Sequence, residues 1–84
     1  MYFVYVLKNK EGILYKGISI DLKRRLFEHN VSQTKGFTKG KGPWELVYCE
    51  EYENKTEALK REKYFKTRTG RRFLEAQLVR ASGI

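Results

Sequence analysis

The sequence has few of the residues that mark secreted, disulfide-bonded or membrane proteins. It contains one cysteine among 84 residues, which excludes a disulfide framework and a cysteine-based metal site. No apolar run approaches the roughly 20 residues that a membrane-spanning helix needs. The amino-terminal apolar run has neither a basic lead nor a small-residue cleavage site, so a signal peptide is not expected. We therefore expect a protein of the reducing cytoplasm that does not enter a membrane.

Acidic residues are also scarce relative to basic ones. The chain has 10 Asp+Glu against 18 Lys+Arg, which gives a formal net charge of +8. Such an excess in a short chain favours a polyanionic partner, because neutralisation of phosphates drives association with nucleic acids. No predicted helix combines a basic face with a broad apolar one, so nucleic acid is favoured over a membrane surface. The alternative is a basic surface that serves solubility only.

Two stretches rich in β-branched and aromatic residues predict a hairpin near the amino terminus. Residues 2–7 and 13–18 have the composition of strands. Gly12 ends the intervening three-residue loop, where a type I turn is followed by a left-handed residue. The loop length sets the strand register, in which Tyr5 and Tyr15 lie diagonally on one face of the hairpin.

The rest of the chain alternates helical and strand patterns. Asp21 is placed to cap a first helix, and residues 44–52 predict a third strand. A second helix starts at Asn54, and a third is expected after Gly70. The predicted fold is therefore α/β, a small three-stranded antiparallel sheet flanked by helices in the order ββαβαα, in a single domain over residues 1–84.

Polar residues interrupt the apolar stripe of the first helix. Leu22 and Leu26 mark its inward side, and Arg25 and His29 fall within the same stripe at helical spacing. The chain has only one histidine, which argues against a histidine-based metal site and favours a hydrogen-bonding or proton-accepting role.

A carboxylate interrupts the second helix in the same way. Glu62 lies within the predicted apolar face of Ala58, Leu59 and Phe65. Burial of a charge costs several kcal/mol unless the charge is paired or binds a metal. Two interpretations stay open: a structural ion pair between Glu62 and Arg25, or a functional site that also includes the two tyrosines.

The connection between the first helix and the third strand is polar, basic and rich in glycine. It covers residues 30–43 and contains Lys35, Lys39 and Lys41. A loop of this composition suits function better than core packing, and we expect the three lysines to contact phosphates.

Four blocks of the sequence resemble one family. VYV at 4–6 with YKG at 15–17 resembles the GIY…YIG signature, and DLKRRLFEHN at 21–30 resembles the block that follows it. KTEALKREKYFK at 55–66 resembles the block with the metal-binding glutamate. GFTKGKGPWELVY at 36–48 is similar to a stretch in small stand-alone bacterial members. The chain thus resembles the GIY-YIG nuclease superfamily, which includes a nuclease domain of DNA excision repair.

The resemblance implies a role for each matching position. Tyr5 matches the general base towards the attacking water, and His29 matches the group that takes its proton. Tyr15 and Arg25 match the groups that hold the scissile phosphate. Glu62 matches the sole protein ligand of Mg²⁺ or Mn²⁺, a role that suits an ion retaining several waters.

The resemblance also implies roles for two neighbouring positions, Lys16 and Gly17. Gly17 matches the glycine that lets the backbone come close, and Lys16 replaces the usual apolar middle residue of that motif, so both are assigned to nucleic-acid binding. Ile18 stands where repair-type members often have a lysine, which removes one positive charge.

The resemblance as a whole implies a magnesium-dependent endonuclease that acts on DNA, including branched or damaged DNA, without a small-molecule cofactor. The first alternative is a non-catalytic nucleic-acid-binding module of the same fold. The second is a structural or interaction protein whose inward polar groups form an ion-pair network.

Overall fold

The computed structural model describes residues 1–31 and 43–81. Its three strands form one antiparallel sheet in the order β2-β1-β3, and the predicted ββαβαα order is confirmed. The elements are β1 (Tyr2–Asn9), β2 (Leu14–Ser19), α1 (Leu22–Val31), β3 (Trp44–Tyr52), α2 (Lys55–Phe65) and α3 (Arg68–Ala81). Within the described ranges no helix is long and apolar enough to cross a membrane. The loop lysines Lys35, Lys39 and Lys41 lie outside the described residues.

The turn between β1 and β2 confirms the predicted register. Gly12 has a φ of +86°, the left-handed conformation that glycine adopts without steric cost. The Asn9 amide donates to the Ile13 carbonyl at 3.1 Å, which closes the three-residue loop. In this register Tyr5 lies directly opposite Gly17.

Side-chain caps start the first two helices where the sequence predicts them. An Asp21 Oδ1 atom accepts a hydrogen bond from the Arg24 amide at 3.1 Å. The Asn54 side chain accepts from the amides of Thr56 and Glu57 at 2.7 and 3.3 Å. Each cap satisfies amide groups that have no partner within the helix.

The central strand β1 is covered on both faces. Val4 and Val6 point to one side, and Tyr5 and Leu7 point to the other, as the alternation of a strand requires. The valine side packs against Ala58, Phe65 and Leu74 of α2 and α3. The Tyr5 side packs against Trp44 of β3 and against Leu22 and Leu26 of α1. We call these two sides the α2 face and the α1 face of the sheet.

The prediction that Leu59 belongs to the apolar face of α2 is wrong. Leu59 is 39% exposed, whereas Ala58 and Phe65 are fully buried. Successive helical residues are rotated by about 100°, which carries Leu59 out of the narrow stripe that Ala58 and Phe65 define.

The third helix begins earlier than predicted. It starts at Arg68 rather than after Gly70, because Thr67 supplies a cap: its Oγ1 accepts from the Gly70 amide at 3.1 Å. Gly70 is buried within the first turn of the helix. A Cβ atom there would overlap the backbone carbonyl oxygen of Tyr64, so this glycine permits a close contact between α2 and α3 rather than ending a helix.

We predict that Gly70→Ala destabilises the protein by roughly 1–3 kcal/mol, the usual cost of overpacking, although alanine is the better helix former. The free energy of unfolding in urea measures the effect. Thr69→Ala, at an exposed position in the same turn, should change it by less than about 0.5 kcal/mol. Equal stabilities for the two variants would contradict the close contact.

Candidate active site

The ring of Tyr5 lies over Gly17. An atom in the Cβ position of Gly17 would be 2.5 Å from the hydroxyl oxygen of Tyr5 and 3.1 Å from a ring carbon of Tyr15. The space that another residue would fill is therefore taken by the phenol of Tyr5. The rings of Tyr5 and Tyr15 are 6.3 Å apart between centroids, which confirms that the two tyrosines share one face of the hairpin.

His29 closes this tyrosine pair from the last turn of α1. Its Nε2 atom is 3.1 Å from the Tyr5 hydroxyl, and its ring centroid is 4.8 Å from that of Tyr15. The edge of the Trp44 ring also packs against Tyr15, with the centroids 6.3 Å apart. Tyr5 and His29 are both buried, so their hydrogen bond is shielded from bulk water.

Arg25, one turn before His29, bonds to the same phenol. Its side chain hydrogen-bonds to Tyr5, and its Nη1 atom is 2.9 Å from Oε1 of Glu28. A guanidinium group only donates hydrogen bonds, so the Tyr5 oxygen accepts from Arg25. The hydroxyl hydrogen of Tyr5 is then directed to Nε2 of His29, which requires a neutral imidazole with its own hydrogen on Nδ1.

The electrostatics of this group favour that protonation state. Burial raises the pKa of Tyr5 above 10.0, the Arg25 hydrogen bond opposes the rise, and the charge of Glu62 adds to it. Burial lowers the pKa of His29 below 6.5, and the charge of Arg25 acts in the same direction. At neutral pH the phenol therefore keeps its proton, and the imidazole beside it is neutral and can accept one.

Glu62 approaches the site from α2, on the other face of the sheet. Its carboxylate lies 3.0 Å from Nζ of Lys66, one turn further along the helix, and its charge acts on Tyr5. The structure thus brings Tyr5, Tyr15, Arg25 and His29 into contact, and Glu62 acts on Tyr5 through its charge.

The structural ion pair between Glu62 and Arg25 is not formed. Arg25 pairs with Glu28 and Glu62 pairs with Lys66. Both are local pairs at the helical spacings that bring charges together. Glu62 is therefore not held as the counter-ion of a buried arginine.

In the part of the chain that the structure describes, carboxylates do not cluster with the single imidazole as a multi-ligand metal site. Within residues 1–31 and 43–81, no group of three or more His, Cys, Asp or Glu side chains could hold a metal ion. A metal next to Tyr5 would depend on Glu62 alone and take its remaining ligands from water and phosphate oxygens. That donor set fits Mg²⁺, which retains several waters and is commonly held by one or two carboxylates.

A second polar network, which the sequence did not lead us to predict, joins β3 to α2. Nε and Nη2 of Arg61 bond the two carboxylate oxygens of Glu50 at 2.8 and 3.1 Å. The hydroxyls of Tyr48 and Tyr52 donate to the same carboxylate, each at 2.6 Å. A signal was present in the sequence, because Glu50 lies opposite Val4 and so points to the core side of β3.

This network fixes the charges of its members. Burial alone would raise the pKa of Glu50, but hydrogen bonds from Arg61, Tyr48 and Tyr52 outweigh it and leave the pKa lowered. Burial and the bond to Glu50 raise the pKa of Tyr48 to about 12. The two hydrogen bonds between Arg61 and Glu50 also limit rotation of α2 about its own axis. Glu62 directly follows Arg61, so its orientation is limited as well.

Known proteins share both the sequence pattern and the fold. The family described as the GIY-YIG catalytic domain matches residues 1–75. A UPF0213 protein of Staphylococcus aureus is 47% identical over 68 residues, which are 81% of this chain and 83% of that protein. A UPF0213 protein of Staphylococcus saprophyticus is 42% identical over 66 residues, 79% of this chain and 80% of that protein.

A solved structure extends the likeness to three dimensions. The solution NMR structure of a UPF0213 protein from Bacillus halodurans superimposes with a TM-score of 0.56 at 30% sequence identity. The match covers 92% of this chain and 85% of that one.

The protonation of His29 can be measured directly, because the chain has one histidine. We predict an NMR-detected pKa below 6.5, since burial and the charge of Arg25 both disfavour the cation. The unfolded chain then takes up the proton first, so the free energy of unfolding should fall as the pH drops from 6.5 towards the folded pKa. His29→Gln should lack this component. A pKa at or above 6.5 would be inconsistent with the buried neutral imidazole.

Proposed function

Since the chain belongs to the GIY-YIG catalytic domain family, we propose that it is an endonuclease that hydrolyses phosphodiester bonds of DNA with a divalent metal ion. The observation that carries the proposal is the buried bond between the Tyr5 hydroxyl and Nε2 of His29. Arg25 holds the same oxygen. A proton donor, a neutral acceptor and a cation in contact are what a hydrolytic site requires.

The proton path follows from the hydrogen-bond directions. The water attacks phosphorus as one of its O–H bonds breaks and the proton passes to the oxygen of Tyr5. The phenolic proton of Tyr5 passes at the same time to Nε2 of His29, 3.1 Å away. Tyr5 thus works as a base without existing as a free phenolate, a form that its raised pKa disfavours. The bond from phosphorus to the leaving oxygen breaks as the new bond forms, and the leaving oxygen takes a proton from solvent water.

Arg25 and Tyr15 hold the phosphate in this proposal. Tyr5 is 1% exposed, and Arg25 is bonded to its oxygen. Transfer of the guanidinium from Tyr5 and Glu28 to the phosphate would uncover that oxygen for the water. The positive charge then stays next to the oxygens on which negative charge develops. Gly17 contributes space, because the ring of Tyr5 lies over it.

Glu62 is the residue that would hold the metal. A bound Mg²⁺ or Mn²⁺ supplies stabilisation of negative charge on the leaving oxygen. Glu62 is on a helix fixed to β3 by the Arg61–Glu50 pair, which makes the position of its carboxylate reproducible. In the free protein Nζ of Lys66 donates to this carboxylate at 3.0 Å and occupies the place that a cation would take.

The choice of DNA as substrate is supported by charge and by the family. The net charge of +8 matches a phosphate backbone, and Lys35, Lys39 and Lys41 of the basic loop would contact it. A non-catalytic nucleic-acid-binding module would share this charge. The two functions differ in metal-dependent nicking, which only the enzyme shows.

The Glu62→Gln variant tests the enzyme most directly. It keeps the size of the side chain and removes the charge that binds a divalent cation. Nicking of plasmid or branched DNA in Mg²⁺ or Mn²⁺ should fall by about two orders of magnitude or more, since even outer-shell changes at metal sites cost roughly 10–100-fold. Stability should change by less than about 0.5 kcal/mol, because the lost pair is a single-turn pair with a half-exposed Lys66.

Glu75→Gln is the matched control, an exposed carboxylate on α3 with the same change of charge. It should nick DNA as the parent does, and neither protein should act in EDTA. A parent without metal-dependent nicking would refute the enzyme and leave the binding module. A Glu62→Gln variant with parental nicking would refute the metal role of Glu62.

The proposal also predicts the pH dependence of cleavage. Protonated His29 cannot accept the proton of Tyr5, so kcat/KM should fall by about tenfold per pH unit below the pKa of His29. Because that pKa is lowered from 6.5, the decline should begin below pH 6.5. His29→Gln should have a low rate without this acid limb. The kinetic pKa should equal the one measured by NMR for the free protein, and a disagreement would assign the limb to another group.

A further inference from the structure

Lys16 occupies a position on β2 where the strand pattern favours an apolar side chain. It is paired directly with Val6, so it lies on the α2 face of the sheet, beside the main core. It is half-buried. Within residues 1–31 and 43–81 its side chain has no hydrogen bond and no ion pair. Burial lowers its pKa, and the charges of Arg71 and Lys66 lower it further.

The positive charges that act on Lys16 come from a segment with a strong excess of basic residues. Between Glu62 and Glu75 the chain has five basic residues and no acidic one. Of these five, only Lys66 is in an ion pair within the described part of the chain, and its partner is Glu62. Arg71 is exposed in the first turn of α3. We call Lys16, Lys66 and Arg71 the Lys16 cluster.

The arrangement of the Lys16 cluster is unfavourable in the free protein. Like charges within reach of one another repel, and partial burial removes water that would screen them. A purely solvated surface would leave a lysine extended into water, as long charged side chains ordinarily are. Lys16 is instead held against the α2 face, where a bound anion would neutralise it.

We propose that the Lys16 cluster binds a backbone phosphate of DNA other than the scissile one. The proposed function supplies the identity of this ligand. The scissile phosphate would lie at Arg25, on the α1 face, whereas the cluster is on the α2 face. β2 is an edge strand, so the DNA backbone would cross this edge between the two positions. Glu62 links them, since it bonds Lys66 and its charge acts on Tyr5.

The double variant Lys16→Gln/Arg71→Gln tests this site without reference to catalysis. Binding of a fluorescent DNA duplex is measured by anisotropy in EDTA at several salt concentrations. Two lost phosphate contacts should flatten the log–log dependence of affinity on salt by about 1.8, at roughly 0.9 for each contact. The melting temperature should not fall, because neither side chain is in an ion pair within the described ranges.

Lys10→Gln/Lys60→Gln is the charge-matched control. It also removes two positive charges, one from the hairpin turn and one from the groove beside Tyr52 and Tyr64. The control should keep the parental salt slope. A second variant, Lys16→Arg/Arg71→Lys, keeps both charges and should also keep the slope.

Three results would overturn the site: equal slopes for the double variant and its control, a flattened slope for the charge-conserving variant, or no binding of DNA by the parent. Binding in EDTA is independent of cleavage. A parent that binds DNA with the expected slopes but never nicks it would refute the proposed activity and leave the Lys16 cluster supported.

Discussion

The buried hydroxyl of Tyr5 is the group on which the architecture of the site depends. A phenol in the middle strand of a sheet needs space for its ring and partners for its oxygen. Gly17 supplies the space, because any larger residue would collide with the ring. His29 and Arg25 supply the partners. They lie one turn apart on α1, so α1 must lie across this face with both side chains directed at Tyr5. The hairpin register and the position of α1 are therefore two parts of one constraint.

On the α2 face of the sheet, a helix that buries apolar groups must also hold a charged residue in a fixed orientation. Ala58 and Phe65 attach α2 to the core, but a narrow apolar stripe permits some rotation about the helix axis. The guanidinium of Arg61 removes that freedom, because it bonds both oxygens of Glu50 and lies 4.8 Å from the centre of the Phe65 ring. Glu62 is the next residue and shares the fixed orientation.

Features that depend on short-range rules could be predicted from the sequence, whereas the ion pair that joins α2 to β3, Arg61 with Glu50, could not. The left-handed Gly12 and the loop length determine the hairpin register, and a strand period of two then places both site tyrosines on one face. The sequence leaves open a pair between Arg25 and Glu62, because both positions interrupt apolar stripes. Their partners are instead Glu28 and Lys66, three and four residues away on the same helices. Local pairs form without the ordering of distant segments. The spacing of charges along each helix therefore predicts these pairs better than the burial of the two positions does.

In the proposed enzyme, the bond between Arg25 and Tyr5 would keep the base covered while no phosphate is bound. In the free protein Arg25 is held by Tyr5 and Glu28, and the Tyr5 oxygen is sealed from solvent. In the proposed mechanism a phosphate would displace the phenol from the guanidinium, because hydrogen bonds between ionised groups are about twice as strong as those with a neutral partner. Arrival of the phosphate and exposure of the base are then one event. In the proposed mechanism, water would gain access to Tyr5 only when a phosphate is in position to be attacked, and Glu28 would keep its second arginine partner, Arg24.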